Sequence, residues 1–227
     1  MNIARTVSIV ILASVVATVV TMAAQAQPTQ QSAPQGRLFP PTDLGLLESP
    51  DRAAWQKPDL IMDALRIAEK ATVADIGAGS GFFTVRLARR VGPNGIVYAE
   101  DIQQPMLESI KRRVSREGLN NVNTRLGTDT DANLPKGALD AVLVVDVYQE
   151  VEEEASRIGL LRHLADTLKP SGRIGIVNYK PGDGGPGPDP PRRRLERTLV
   201  EAEVRDAGLR VLDVATLPFQ YLLVVGR

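Results

Sequence analysis

The chain reads as an α/β protein built on a doubly wound, mostly parallel sheet of seven strands, with the last strand reversed. Three observations point there. Short β-type runs alternate with helical patterns along most of the length, the signature of a parallel sheet covered by helices on both faces. The stretch Val73-Ala-Asp-Ile-Gly-Ala-Gly-Ser-Gly-Phe-Phe-Thr84 runs from a hydrophobic strand through a glycine-rich turn into an amphipathic helix. The last two β-type runs are joined by only a few residues, too few for a helical crossover, so they are expected to pair antiparallel.

Strands are expected near residues 72–77, 95–101, 122–127, 140–146, 172–178, 210–216 and 219–225. A first helix over 59–69 has apolar Leu60, Met62, Leu65 and Ile67, and a second over 82–91 gathers Phe83, Leu87 and Val91 on one face. The third, 104–117, starts at Pro105, turns Met106, Ile110 and Val114 inward and stops at Gly118. A fourth over 151–168 has the stripe Val151, Ala155, Ile158 and Leu161 and ends before Pro170 and Gly172. The last, 190–207, uses Leu195, Leu199 and Ala202 and stops at Gly208.

Of the 227 residues 43% are hydrophobic and only 4% aromatic, so a single core must be built mainly from Val, Leu, Ile and Ala. Formal charge is zero, which removes any electrostatic case for nucleic acid or an anionic membrane surface as partner. Residues 1–26 stand apart from the globule. Arg5 precedes an apolar run from Val7 to Ala24 that closes on Ala24-Gln25-Ala26, the pattern of a signal peptide cut after Ala26. At roughly 18 residues the run is nearly long enough to span a bilayer, so an uncleaved anchor is the alternative. The protein is therefore expected to be exported to the periplasm, or else anchored in the inner membrane with its domain outside. Zero cysteine is compatible with an oxidising compartment. Residues 27–50, rich in Gln, Pro and Ser, read as a flexible linker, and 51–227 as the domain.

Glycines at 77, 79 and 81 let a ligand lie against the main chain beside a helix N-terminus. A dinucleotide fingerprint would need its third glycine at 82, where Phe82 stands, and a nicotinamide oxidoreductase fails on that spacing. Asp75, two residues before the first glycine, suits a cationic ligand better than a pyrophosphate. The segment resembles motif I of the class I methyltransferases that use S-adenosylmethionine. Val97-Tyr98-Ala99-Glu100-Asp101-Ile102 looks like their second strand, and Asp-Ile-x-x-Pro-Met-Leu at 101–107 is similar to the ubiquinone-biosynthesis-type and arsenite-type members.

The resemblance covers about residues 55–227 and implies the Rossmann-like methyltransferase fold with S-adenosylmethionine as cofactor. It places the amino acid part of the cofactor at Asp75, Gly77, Ala78, Gly79 and Gly81, the ribose hydroxyls at Asp101 and the adenine at Ile102. Glu100 competes with Asp101, because a one-residue slip reverses which side chain faces the ligand, and the motif match decides for Asp101. The loop from Leu126 to Pro135 resembles the one whose acid caps the adenine amino group, with Asp129 and Asp131 straddling the usual position.

Trp55 and Gln56 belong to a Trp-Gln-x-Pro lead-in that related methyltransferases share, which makes Gln56 a substrate candidate. Asp146-Val147-Tyr148-Gln149-Glu150 follows the fourth strand, where ligands sit in open α/β sheets, and adds Tyr148, Gln149 and Glu150; Tyr179, after the fifth strand, joins them. Close relatives often carry histidine where Gln149 stands, and an amide cannot act as a base. The absence of cysteine makes arsenite a poor acceptor. His163, the single histidine, is expected to be structural, and no metal site is expected. The Gly/Pro run at 181–191, ahead of Arg192-Arg-Arg194, reads as a mobile loop, either lid or connector. The functional expectation is methyl transfer to a small-molecule acceptor. The alternative is an exported, non-catalytic binding protein for a nucleoside-type ligand on the same fold.

Overall fold

Two short helices lead the chain into the fold. In the computed structural model, which describes residues 39–40, 45, 47–182, 186 and 194–227, α1 (Arg52–Gln56) and α2 (Pro58–Ala64) meet at Lys57, whose φ of 53° turns the axis before Pro58 restarts it. The expected export segment, most of the linker and most of the Gly/Pro run lie outside the described residues. The order is then β1 (Thr72–Ile76), α3 (Phe82–Val91), β2 (Ile96–Asp101), α4 (Gln104–Arg116), β3 (Val122–Leu126) and β4 (Leu139–Val145), followed by α5 (Glu154–Thr167), β5 (Leu168–Tyr179), α6 (Arg197–Asp206), β6 (Arg210–Thr216) and β7 (Gln220–Gly226).

The seven strands form one sheet in the order β3-β2-β1-β4-β5-β7-β6. The first five are parallel, and β7 runs antiparallel between β5 and β6. Strand order reverses between β1 and β4, which opens a crevice at their carboxyl ends. Alternation along each strand divides the core in two. Val73, Leu143, Val177, Leu222 and Val224 pack with Ile61 and Met62 of α2 and Leu87 of α3, whereas Ala74, Val142, Val144, Ile176 and Leu223 pack with Leu161 and Leu164 of α5 and Val200 and Val204 of α6. Ala99 is buried with Leu107, Ile110 and Val114 of α4. At about 1.5–3 kcal/mol for each fully buried aliphatic side chain, these two layers supply most of the drive to fold.

Four element boundaries depart from the sequence expectation. Helix α2 stops at Ala64 because Arg66 adopts φ 55° and closes a Schellman cap, with Ile67 N donating to Met62 O (3.0 Å) and Arg66 N to Asp63 O (2.9 Å). Helix α5 begins at Glu154, since Val151 is extended after a 3-10 turn at Tyr148–Glu150. Helix α6 begins at Arg197: Leu195 is buried, its carbonyl accepts from the Tyr221 hydroxyl (3.0 Å), and Glu196 is extended. Strand β5 begins four residues early across a bulge, Leu139 pairing with Leu168 but Ala141 with Arg173.

A buried brace ties α5 to α6. Arg157 Nε donates to both carboxylate oxygens of Glu203 (3.0 and 3.1 Å), its Nη2 pairs with the same group, and the Tyr148 hydroxyl donates to Glu203 Oε2 at 2.7 Å. Arg157 Nη1 also donates to the carbonyls of Val151 and Glu152 (both 3.0 Å), so the brace fixes the chain that leaves β4.

Candidate functional site

The candidate site stands at the carboxyl ends of β1 to β5, beside the start of β7 and helix α1. The glycine turn after β1 holds Gly77, Gly79 and Gly81 at φ 61°, 53° and 81°, a left-handed region that side chains rarely adopt. Gly77 is also required by proximity: a Cβ there would lie 2.3 Å from Cγ2 of Val147, the second residue past β4. Thus the turn after β1 and the segment after β4 touch. Ala78, buried between the first two glycines, donates its N–H to the carbonyl of Glu100 (2.8 Å).

Register separates the two acids that end β2. Asp75 pairs with Ala99, which puts Asp75 and Asp101 on the α3 side, and Ile76 pairs with Glu100, which puts Glu100 on the opposite side. Asp101 Oδ2 accepts from Gly79 N (2.9 Å) and Oδ1 from Gln103 N (2.9 Å), while Glu100 Oε2 accepts from Gly77 N (3.2 Å). The N–H groups of Gly77 and Gly79 are therefore already taken by carboxylates, so these two do not wait for a phosphate. Asp75 accepts from the Thr84 hydroxyl at 2.6 Å. Burial pushes the Asp75 carboxyl up to about 6, against the pull of Thr84 and Arg52. It pushes Glu100 up to about 8, with the neighbouring carboxylates adding to the shift, and raises Asp101 as well.

Ile102 follows Asp101 and is 36% exposed; Leu126, paired with Asp101 at the end of β3, is 49% exposed. Two apolar side chains so open to solvent suit a flat ring. In the next loop Asp131 turns inward on its own backbone, accepting from Asn133 N (2.8 Å) and lying 3.3 Å from His163. The His163 Nε2 accepts from Ala132 N (3.2 Å) and so pins the loop to α5. Asp129 adds to the upward shift of Glu100 through like-charge repulsion.

On the other flank, Arg52, Trp55 and Gln56 share one face of α1. Arg52 Nε donates to Gln56 Oε1 (2.6 Å), and Gln56 Nε2 donates to Asp146 Oδ2 (3.2 Å) and Gln220 Oε1 (3.1 Å). Gln220 Nε2 donates to Asp146 Oδ1 at 2.6 Å. Trp55 lies 6.2 Å from the rings of both Tyr179 and Phe219. Arg52 attracts Asp75 as well as Asp146, and so links this cluster to the glycine turn. Upstream, Arg52 Nη1 donates to Leu47 O, while Glu48 accepts from the Ser80 hydroxyl and from Arg113 Nη1, all three at 2.5 Å. Leu47 and Glu48 thereby lie across the glycine turn.

The structure therefore brings together Asp75, Gly77, Ala78, Gly79, Gly81, Asp101 and Ile102 on one flank, and Gln56 and Tyr179 on the other. Tyr148 it places in the core, fully buried with its hydroxyl on Glu203. Gln149 is buried in the 3-10 turn, its Oε1 without a hydrogen-bond partner among the described residues, and Glu150 is half-exposed and near enough to Asp146 to raise it. Sequence reasoning missed Gln220, which is 164 positions from Gln56 with no local signal. It also missed Arg52, for which the i, i+3, i+4 spacing with Trp55 and Gln56 was an available sign.

Residues 73–172 match a family described as a methyltransferase domain. The nocamycin O-methyltransferase of Saccharothrix syringae is 33% identical over 122 residues, 52% of this chain and 39% of that protein. The protein-L-isoaspartate O-methyltransferase of Methanococcoides burtonii is 31% identical over 107 residues, 45% of this chain and 52% of that one. The chain thus spans about half or less of the length of these curated relatives. Among solved structures, a SAM dependent methyltransferase from Aquifex aeolicus superposes with a TM-score of 0.77 at 26% identity, covering 83% of this chain and 98% of that one. The fold is the Rossmann-like methyltransferase fold, and the cofactor these similarities indicate is S-adenosylmethionine. The residues fit it: acids rather than free N–H groups face the glycine turn, as a cationic ligand requires.

Proposed function

We propose, for a chain whose residues 73–172 match a methyltransferase domain and whose indicated cofactor is S-adenosylmethionine, that it transfers a methyl group to a small-molecule acceptor. The observation that carries this reading is the placement of Asp75 and Asp101 on one face of the sheet, either side of a glycine turn whose N–H groups at 77 and 79 are filled by carboxylates. When bound, the cofactor supplies an electrophilic methyl on a positively charged sulfur. Asp101 would hold the ribose hydroxyls, since each of its oxygens accepts one backbone N–H and keeps a second lone pair. Ile102 and Asp129 would border the adenine, and Asp75 with the glycine turn the amino acid part. Methyl transfer then asks chiefly for alignment, which the rigid ends of β1 and β4 provide.

Isothermal calorimetry with S-adenosylmethionine and with its demethylated product tests this, the expected result being saturable binding of both. A folded protein giving no heat with either would sink it. The alternative, a non-catalytic binding protein, has Gln149 in its favour, because a neutral amide stands where a base is otherwise expected. We also propose that residues 1–26 direct export, on the strength of Arg5, the apolar run and Ala24-Gln25-Ala26. A reporter active only outside the cytoplasm, fused after residue 45, should then be active; a silent, stably expressed fusion would rule export out.

A further inference from the structure

Resting on the methyltransferase reading, we propose that Asp146 is the group that takes the acceptor's proton, and that the acceptor is a neutral phenol-type hydroxyl whose ring lies against Trp55, Tyr179 and Phe219.

Position comes first. Asp146 is the residue after β4, hydrogen-bonded through its N–H to Val177 O (2.9 Å), and its neighbour Val147 packs directly on Gly77 of the glycine turn. It is thus one residue from contact with the turn assigned to the cofactor. Its backbone is held at φ 59°, a conformation that Asp tolerates better than most residues but that needs surrounding support. That support is the pair of fully buried amides, Gln56 and Gln220, one bonded to each carboxylate oxygen. The two amides are fully buried and Asp146 as a residue is half-buried, and each of its carboxylate oxygens, accepting one amide, keeps a lone pair for a ligand.

Charge and shape narrow the ligand. Arg52, through Gln56, already sets a positive charge near Asp146, and the cofactor would bring another, which favours a neutral guest over a further cation. A carboxylate can only accept, which demands a donor such as O–H. The walls are aromatic: Tyr179 is buried, Phe219 is 37% exposed, and Trp55 joins them, its buried indole N–H without a partner among the described residues. A ring bearing a second oxygen would satisfy that donor.

Proton affinity agrees with the geometry. Burial pushes Asp146 up to about 7; Arg52, Gln220 and Gln56 pull it down and Glu150 pushes it up, while Tyr179 faces it as a phenol whose own ionisation is suppressed. A base poised there works at neutral pH. In the step, the acceptor oxygen forms a bond to the methyl carbon and its proton passes to the Asp146 carboxylate. The sulfur–methyl bond breaks with both electrons remaining on sulfur, and Asp146 later yields the proton to solvent.

The single tryptophan of the chain makes the site observable. With full-length protein saturated with S-adenosylhomocysteine, guaiacol, a phenol that keeps its proton at neutral pH and bears a second oxygen, should quench Trp55 fluorescence saturably. With S-adenosylmethionine it should be converted to 1,2-dimethoxybenzene, read by chromatography. Asp146→Asn should keep calorimetric cofactor binding, weaken the quench about tenfold and lower turnover at least 100-fold, in the range expected for loss of a general base. Its remaining turnover should lose the rise with pH near 7 that the native protein shows, and Asp146→Glu should recover part of it. The proposal is overturned if cofactor binds yet guaiacol neither quenches nor reacts, if Asp146→Asn behaves as the native protein, or if benzylamine binds more tightly than guaiacol. Absence of cofactor binding in the folded native protein would instead overturn the methyltransferase reading and this site with it.

Discussion

Two adjacent acids at the end of β2 have opposite fates, and a mutation pair can separate them. Asp101 faces the α3 side with Asp75, and Glu100 faces away from it. Asp101→Ala should weaken S-adenosylmethionine by about 1.5–3 kcal/mol, roughly 10–150-fold in Kd by calorimetry, because a charged acceptor for the ribose hydroxyls is lost. Glu100→Gln should leave Kd nearly unchanged; a larger effect at 100 than at 101 would reverse the assignment. Only the motif match favoured Asp101 in the sequence, because alternation says that the two acids face opposite ways but not which one joins Asp75; the β1–β2 register supplies that. The Gln56–Asp146–Gln220 cluster was not legible there, because its members come from a helix, a strand end and a final hairpin that only folding brings together. Tyr148 shows the opposite failure. Its place in a ligand-end motif says nothing of the Glu203 carboxylate, 55 residues on, that holds its hydroxyl in the core.

At the scale of elements, periodicity located every strand and every helix but the five-residue α1, and it misjudged ends wherever backbone hydrogen bonding rather than side-chain pattern decides. Helix α2 keeps its apolar stripe to Ile67, yet the left-handed Arg66 stops it earlier, and no composition rule marks an arginine as a cap. Gly118 and Gly208 obeyed such a rule, and there the expected ends are correct to within a residue or so. The brace between α5 and α6 was invisible for another reason: its charges lie 46 residues apart. Glu203→Leu should destabilise the protein by about 3–5 kcal/mol in chemical denaturation, because it strands a buried guanidinium. Adding Arg157→Met should restore most of that loss. If the single variant costs under about 1 kcal/mol, the pair is not the clamp its burial suggests.

For the whole molecule, the ligand edge of the sheet works against the stability of the rest. Asp75, Asp146 and Glu100 are raised to about 6, about 7 and about 8, each mainly by burial. A carboxyl whose folded value lies above its unfolded value of about 4 binds more protons folded than unfolded across that window. Its contribution is therefore fully present below about pH 4 and lost as pH rises through the folded values. Tm should accordingly fall between pH 5 and pH 8.5 in the absence of ligand, and Asp146→Asn should flatten that fall; a Tm that climbs across this range would contradict the burial of these groups. The seven strands and the antiparallel pairing of the last two were readable from the lengths of the runs and of the connection between them, whereas the strand order was not. The thermodynamic opposition at the sheet's ligand edge was not readable either, because it depends on three carboxylates being desolvated together.

The segment laid across the glycine turn carries one more consequence. Leu47 sits 3.2 Å from where a Cβ on Gly79 would be, and Glu48 is latched to Ser80 and Arg113. The expectation is that a cofactor held by that turn leaves only as Glu48 unlatches, so that Leu47 and Glu48, which take no part in the chemistry, set the residence time of the product. High salt, which loosens the Glu48–Arg113 ion pair, should then speed release in a stopped-flow displacement, and a release rate indifferent to salt and to Glu48→Gln would rule this out.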